Sequence, residues 1–212
     1  MALKKGDFVE LDFIGKVSAT DMVFDSTIEA KKPAIICIGA GMILKSLDEK
    51  IEGKSIGDEF EVELKPDAAF GARNPQLMQL TSINAFRKQN VNPVPGLQLN
   101  IDGVLATVRS VSGGRVTLDF NHPLAGKAVK FWIKLKKQIT DLSEELKVLC
   151  DGLNPEVKLK EKEIEISVDR KIPEKAAEIK VLQLKKLIPE INNHNIKFTT
   201  REKEKPVSEA PK

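Results

Sequence analysis

The chain has 212 residues, 41% hydrophobic and 31% charged, enough for one large or two to three small domains and too apolar for disorder. Its 34 basic and 31 acidic residues are interspersed and leave a net charge of only +3, which excludes a nucleic-acid-binding stripe. The start "MALKKGDFVEL" has no apolar secretion core, and no stretch approaches the roughly 20 apolar residues of a membrane span, so the expectation is a cytoplasmic protein without membrane contact.

In chain order, Val9, Leu11 and Phe13 alternate with Glu10 and Asp12, the period of a half-buried strand. A polar loop, "FDSTIEAKKP", leads to the short buried strand "AIICIG". In "GAGMILKSLDEKIEG", Ile43, Leu47 and Ile51 share one helix face. Lys45, Asp48, Glu49 and Glu52 share the other, and Gly53 stands at a left-handed C-cap. The strand "GDEFEVEL" points Phe60, Val62 and Leu64 inward.

From Arg73 the texture changes. "NPQLMQLTSINAFRKQNVNPVPG" mixes Pro and Asn with apolar residues at no clean period. The strands "LQLNIDG", "VLATVRSV" and "RVTLDF" follow, the last two a hairpin turning at Gly113 and Gly114. In "AVKFWIKLKK", Val129, Phe131, Ile133 and Leu135 share a face.

A third block starts near Asp141. "DLSEELKVLCDG" has an Asp-x-x-Glu start and a Gly stop, so it reads as a short helix. "KEIEISV" reads as a strand. A helix opening at Pro173 aligns Ala177, Val181, Leu184 and Ile188, and "NIKFTT" is a closing strand. "REKEKPVSEAPK" has the composition of a disordered tail. So small a block needs a surface to pack on: the main body, or its own copy in a homodimer. Leu182, off the main apolar stripe, fits either. Cys37 and Cys150 each sit in an apolar run and read as buried thiols.

No catalytic constellation is present. His122 and His194 lack ligand partners at metal spacing, and GxSxG, P-loop and HExxH motifs are missing. "GAG" fails as a dinucleotide fingerprint because Leu44 stands at the third glycine position. No metal and no cofactor are expected.

The segments "LDFIGKV", "VFDST", "PAIICIGAGMILKSLDEKIEGKSIGDEFEVEL", "KPDAAFG" and "VKFWIKL" resemble, in order and spacing, the FK506-binding type of peptidyl-prolyl isomerase. The insertion before "NHPLAGKAVKF" resembles the insert-in-flap chaperone domain of the SlyD-like branch, and the C-terminal block that of long archaeal members. The resemblance implies an α+β fold: an antiparallel half-barrel sheet around a short helix (1–72 and 120–140), a β-rich insert (73–119) and a small α/β C-terminal domain (141–212). It implies prolyl isomerisation of unfolded or nascent polypeptides, with chaperone activity. The rival reading is a holdase or partner-binding dimer with a vestigial pocket.

Carried over by position, the implied prolyl pocket is Phe13, Phe24, Asp25, Ile36, Ile43, Leu44, Leu47, Phe70 and Phe131, with Leu124 closing a wall. The glycines ahead of the helix would let the Leu44 amide face the substrate's carbonyl. Asp25 would act at the pocket edge through electrostatics; the residue alone reads more readily as an Asx turn. Leu77, Met78, Leu80, Ile83, Phe86, Val91 and Val94 are the implied client-binding residues, some of them necessarily the insert's own core. The sequence departs from the family pattern at Leu47, where a Trp floor is common, at Phe70, which lacks the flap hydroxyl, and at Ala34, where a wall Phe is common. These departures imply a looser pocket. The His/Cys-rich tail of some SlyD-like members is missing, and His122 reads as a turn or wall residue.

Overall fold

The computed structural model describes residues 2–201. Its first strands and helices are β1 (Phe8–Val17), β2 (Val23–Ser26), α1 (Thr27–Ala30), β3 (Ala34–Cys37), α2 (Lys45–Ile51) and β4 (Glu59–Leu64). Then come β5 (Met78–Ser82), α3 (Ile83–Lys88), β6 (Gln98–Ile101), β7 (Val104–Ser112), β8 (Arg115–Asp119) and β9 (Val129–Ile139). The C-terminal block adds α4 (Leu142–Leu149), β10 (Glu156–Leu159), β11 (Glu163–Val168), α5 (Glu174–Leu187) and β12 (Asn195–Thr200). One sheet runs β2-β1-β9-β4 with β3 on β1; a second runs β5-β8-β7-β6 and a third β10-β11-β12. This is an α+β protein with largely antiparallel sheets and few helices.

The chain forms two compact units. Among the described residues, one comprises 2–14, Ser26–Glu61 and 132–201; the other comprises Gly15–Asp25 and Val62–Phe131.

In the first unit, β3 pairs antiparallel with β1, setting Phe8 opposite Cys37 and Val9 opposite Ile36. Strand alternation predicts one inward face on β1, yet Phe8 is as buried as Val9, at 2% and 0% exposure. The C-terminal block is the reason. Phe8 and Cys37 share a core with Leu146, Cys150, Ile164, Ile166, Leu184 and Ile191. The block therefore packs on β1 and β3, the main-body alternative of the two the sequence left open.

Asp141 caps α4 by accepting the Glu144 N–H at 2.9 Å, as the Asp-x-x-Glu signal predicts. The parallel pair β11–β12 is linked through α5, and β10 pairs antiparallel on β11. Strand β10 has no counterpart in the sequence reading. Arg201 was expected to begin the tail, but its guanidinium binds Glu156, Asp169 and the Asn154 carbonyl and so belongs to the fold. The rest of the expected tail lies outside the described residues. Cys37 and Cys150 are buried free thiols.

Glu145 on α4 is half-buried near Glu190, Asp141 and Asp7; burial first, then these like charges, pushes its carboxyl from 4.5 to about 6. A folded-state value above the unfolded one favours folding while the group is protonated, and that benefit is lost as pH rises from 4.5 through about 6. At neutral pH the charged carboxylate, screened by the water that still reaches it, is a liability of about 1 kcal/mol. Glu145→Gln is expected to raise Tm at pH 7.5 and to match the wild type below pH 4.5, as read by thermal melts across pH.

In the second unit the insert's sheet carries a core of Phe86, Val108, Val116 and Leu118, with Ile83, Val91, Leu99, Ile101 and Phe120 packed against it. Helix α3, capped by the Ser82 hydroxyl on the Asn84 N–H, was not anticipated. It is only six residues long and buries Phe86 alone, so it shows no period. Gly113 and Gly114 take positive φ at the β7–β8 turn, as expected of a tight hairpin.

Candidate functional site

The second unit gathers an aromatic cluster. Phe24 on β2 meets Phe70 edge-on at 5.9 Å between centroids and Phe131 on β9 at 5.7 Å, with interplanar angles of 87° and 86°. Such contact requires the backbone between them to lack a side chain. A Cβ on Gly15 would stand 2.7 Å from Cζ of Phe24 and 3.1 Å from Cε1 of Phe131. Gly15 is thus a residue of this site that sequence reasoning missed, though a glycine inside a strand signals close approach.

Phe70 follows a short 3-10 turn, Pro66–Ala68, and stacks parallel on His122 at 4.7 Å and 1°. The following loop is tied down by three bonds: the Leu124 N–H to Nδ1 of His122 at 3.1 Å, the Ala125 N–H to the His122 carbonyl at 2.9 Å, and the Gly126 N–H to the Gly71 carbonyl at 2.8 Å. Leu124 is buried at 8% exposure, on the same loop. Just beyond, Asp119 is buried between Arg73 at 3.0 Å and Arg109 at 3.6 Å, and accepts from the Asn121 side chain at 2.7 Å. Burial opposes its charge, but the Asn121 bonds and both guanidiniums hold the carboxyl below its ordinary range. Asn121 also accepts from the Asn74 N–H and donates to the Asn74 carbonyl, which pins the two chain segments entering and leaving the insert.

Asp25 directly follows Phe24 and is exposed. The turn-capping role that competes with a functional one belongs to its neighbour: Ser26 accepts the Glu29 N–H at the start of α1. Among the described residues, no hydrogen bond or ion pair occupies the Asp25 carboxylate.

In the first unit lie Phe13, Ile36, Ile43, Leu44 and Leu47. The Phe13 N–H donates to the Thr27 hydroxyl at 2.8 Å. Ile36 is buried on β3 and Leu47 on α2, while Ile43 and Leu44 are half-buried just ahead of the helix. Leu44 is the N-cap, at φ −57° and ψ 132°, and its carbonyl accepts from Leu47 and Asp48. Its own N–H meets no acceptor among the described residues, as the first donors of a helix commonly do not. Asp48 departs from expectation. Assigned to the polar face, it is buried at 7% exposure. Burial pushes its carboxyl up, opposed by the backbone of Gly39 and Gly41, whose φ of +79° and +72° turns the chain toward it. The two glycines thus serve Asp48.

The insert's residues divide. Ile83, Phe86 and Val91 belong to its core, whereas Leu77, Met78, Leu80 and Val94 are exposed at 43%, 38%, 60% and 49%. Val104 and Leu105 on β7, not anticipated, are exposed as well. Among the described residues no group of His, Cys, Asp and Glu is arranged to hold a metal ion, and no helix is long and apolar enough to cross a membrane.

A family model described as FKBP-type peptidyl-prolyl cis-trans isomerase matches residues 1–86, and one described as FKBP26, IF domain, matches residues 79–124. The short-type peptidyl-prolyl cis-trans isomerase of Methanocaldococcus jannaschii is 33% identical over 147 residues, covering 63% of this chain and 92% of that protein. The FKBP-type 16 kDa peptidyl-prolyl cis-trans isomerase of Escherichia coli K12 is 34% identical over 115 residues, 52% of this chain and 77% of that protein. The isomerase SlyD of Aeromonas hydrophila is 31% identical over 126 residues, 58% of this chain and 59% of that one.

Proposed function

The chain belongs to the FKBP-type peptidyl-prolyl cis-trans isomerases and is an isomerase acting on polypeptides, and we propose that it does so by non-covalent rotation at Phe24, Asp25, Phe70, Leu124 and Phe131 of the second unit. The observation that carries this site is the pairing of a packed aromatic cluster with an adjacent carboxylate that no bond among the described residues employs.

The reaction needs little more. Rotation about X–Pro breaks amide resonance at a barrier of about 18–20 kcal/mol, and unaided it takes tens to hundreds of seconds. The twisted amide is less dipolar than either planar form, so walls of Phe24, Phe70 and Phe131 that displace water favour it over the ground state. A ten-thousandfold acceleration requires about 5.4 kcal/mol. Desolvation by the aromatic walls and the field of Asp25 supply this without a nucleophile, an acid–base pair or a metal. The test is a protease-free exchange assay on a proline-containing tetrapeptide. Wild type accelerates interconversion; unchanged rates in both Asp25→Ala and Phe131→Ala would remove the site assignment.

The insert captures unfolded chains through Leu77, Met78, Leu80 and Val94 and raises their concentration near the prolyl site. Its match to the insert domain and its exposed apolar side chains support this chaperone reading. Ile179 and Leu182 on α5, exposed at 68% and 69%, support a homodimer through the C-terminal domain, which light scattering checks. The free thiols Cys37 and Cys150 accord with a cytoplasmic setting.

A further inference from the structure

Among the described residues that stack in the aromatic cluster, His122 carries a side-chain N–H. Phe24, Phe70, Phe131 and Leu124 carry no polar hydrogen, and the Asp25 carboxylate only accepts. His122 differs. Its Nδ1 accepts the Leu124 N–H at 3.1 Å, so the neutral ring must carry its proton on Nε2. Parallel stacking on Phe70 at 4.7 Å fixes the ring plane. The residue is exposed, and among the described residues nothing accepts from Nε2. A donor is thereby held in one tautomer and one orientation beside the proposed prolyl site, with no internal use.

We propose that the Nε2–H of His122 donates a hydrogen bond to a backbone carbonyl of the bound peptide flanking the X–Pro bond, anchoring one side of that bond while the other turns. The inference rests on the aromatic cluster being the prolyl site. A contact to the stationary side is the same in the ground state and in the twisted state. It therefore contributes binding rather than acceleration, and its loss raises KM and leaves kcat unchanged.

Two substitutions separate this role from that of a turn former. His122→Asn keeps an oxygen where Nδ1 stands and loses the outer donor. His122→Gln places an amide N–H where Nε2 stands and loses the turn acceptor. With a tetrapeptide substrate, His122→Asn is expected to raise KM about five-fold, the worth of one hydrogen bond, with kcat within about two-fold. His122→Gln is expected to stay close to wild type in KM, while showing the lower Tm of the two. Equal KM values in both variants, or a larger rise in the Gln form, would overturn the proposal.

Nitrogen NMR of the wild-type imidazoles gives an independent reading, simplified because the chain has only two histidines. On saturation with peptide, the Nε2–H signal of His122 is expected to shift while its Nδ1 stays unprotonated; an unmoved signal contradicts the anchor. Asp25→Ala serves as the control. If it loses activity while His122→Asn does not change KM, only the anchor fails; if neither changes anything, the site assignment fails.

Discussion

Asp25→Ala is expected to lower kcat/KM for a tetrapeptide about ten-fold, equivalent to about 1.4 kcal/mol of transition-state stabilisation, with Tm unchanged. The separation of activity from stability follows from the side chain's surroundings. It is exposed, and Ser26 rather than Asp25 caps the following helix. Phe131→Ala is the contrasting case. At 5% exposure and in edge contact with Phe24, its truncation costs stability as well, about 3–5 kcal/mol. Its activity must therefore be read well below its own melting temperature. Both measurements use the same exchange assay with a thermal melt beside it. A loss of activity in Asp25→Ala that merely tracked a lowered Tm would assign the residue to the fold.

The second large effect is expected at the insert. Replacing Leu77, Met78, Leu80 and Val94 together by Ser removes four exposed apolar side chains without entering the core of Phe86, Val108, Val116 and Leu118. Apolar contacts of this size are worth enough that affinity for an unfolded client should fall about ten-fold or more. Turnover of a tetrapeptide, which is too short to need a second foothold, should stay within about two-fold. The check is paired: refolding yield of a proline-limited protein against peptide exchange. Equal losses in the two assays would remove the handover of clients from insert to prolyl site.

These contrasts also show which features the sequence carried. Strands β1, β4 and β9, helix α2 and the α4–β11–α5–β12 series could be read because each repeats an apolar residue at its own period over several turns or pleats. Strand β5, α3 and β10 could not. The first lies exposed along most of its length, the second buries a single residue, and the third is four residues with one half-buried side chain. Burial on both sides of a strand escaped as well. The alternation of Val9, Leu11 and Phe13 sets Phe8 on the opposite face, where the C-terminal block covers it, and no local pattern encodes that docking.

The resemblance named Phe24, Phe70 and Phe131, which the structure brings into ring contact, but the contacts around them were not legible. That Ser26 caps α1 and leaves Asp25 unengaged is a matter of hydroxyl geometry. Asp48 has the spacing of a polar-face residue and is nonetheless turned inward toward a glycine turn. Gly15 and His122 matter through ring contacts of a few ångströms made by residues far apart in the chain. Such contacts leave no periodic trace.

The central claim is that the bond to proline turns without any proton changing hands. The solvent deuterium isotope effect on kcat/KM for wild-type protein, measured by exchange on a proline tetrapeptide, tests it most directly. A ratio indistinguishable from one is the predicted result. A clear normal effect would mean that an acid or base moves a proton in the rate-limiting step, contradicting catalysis by desolvation and fixed charge.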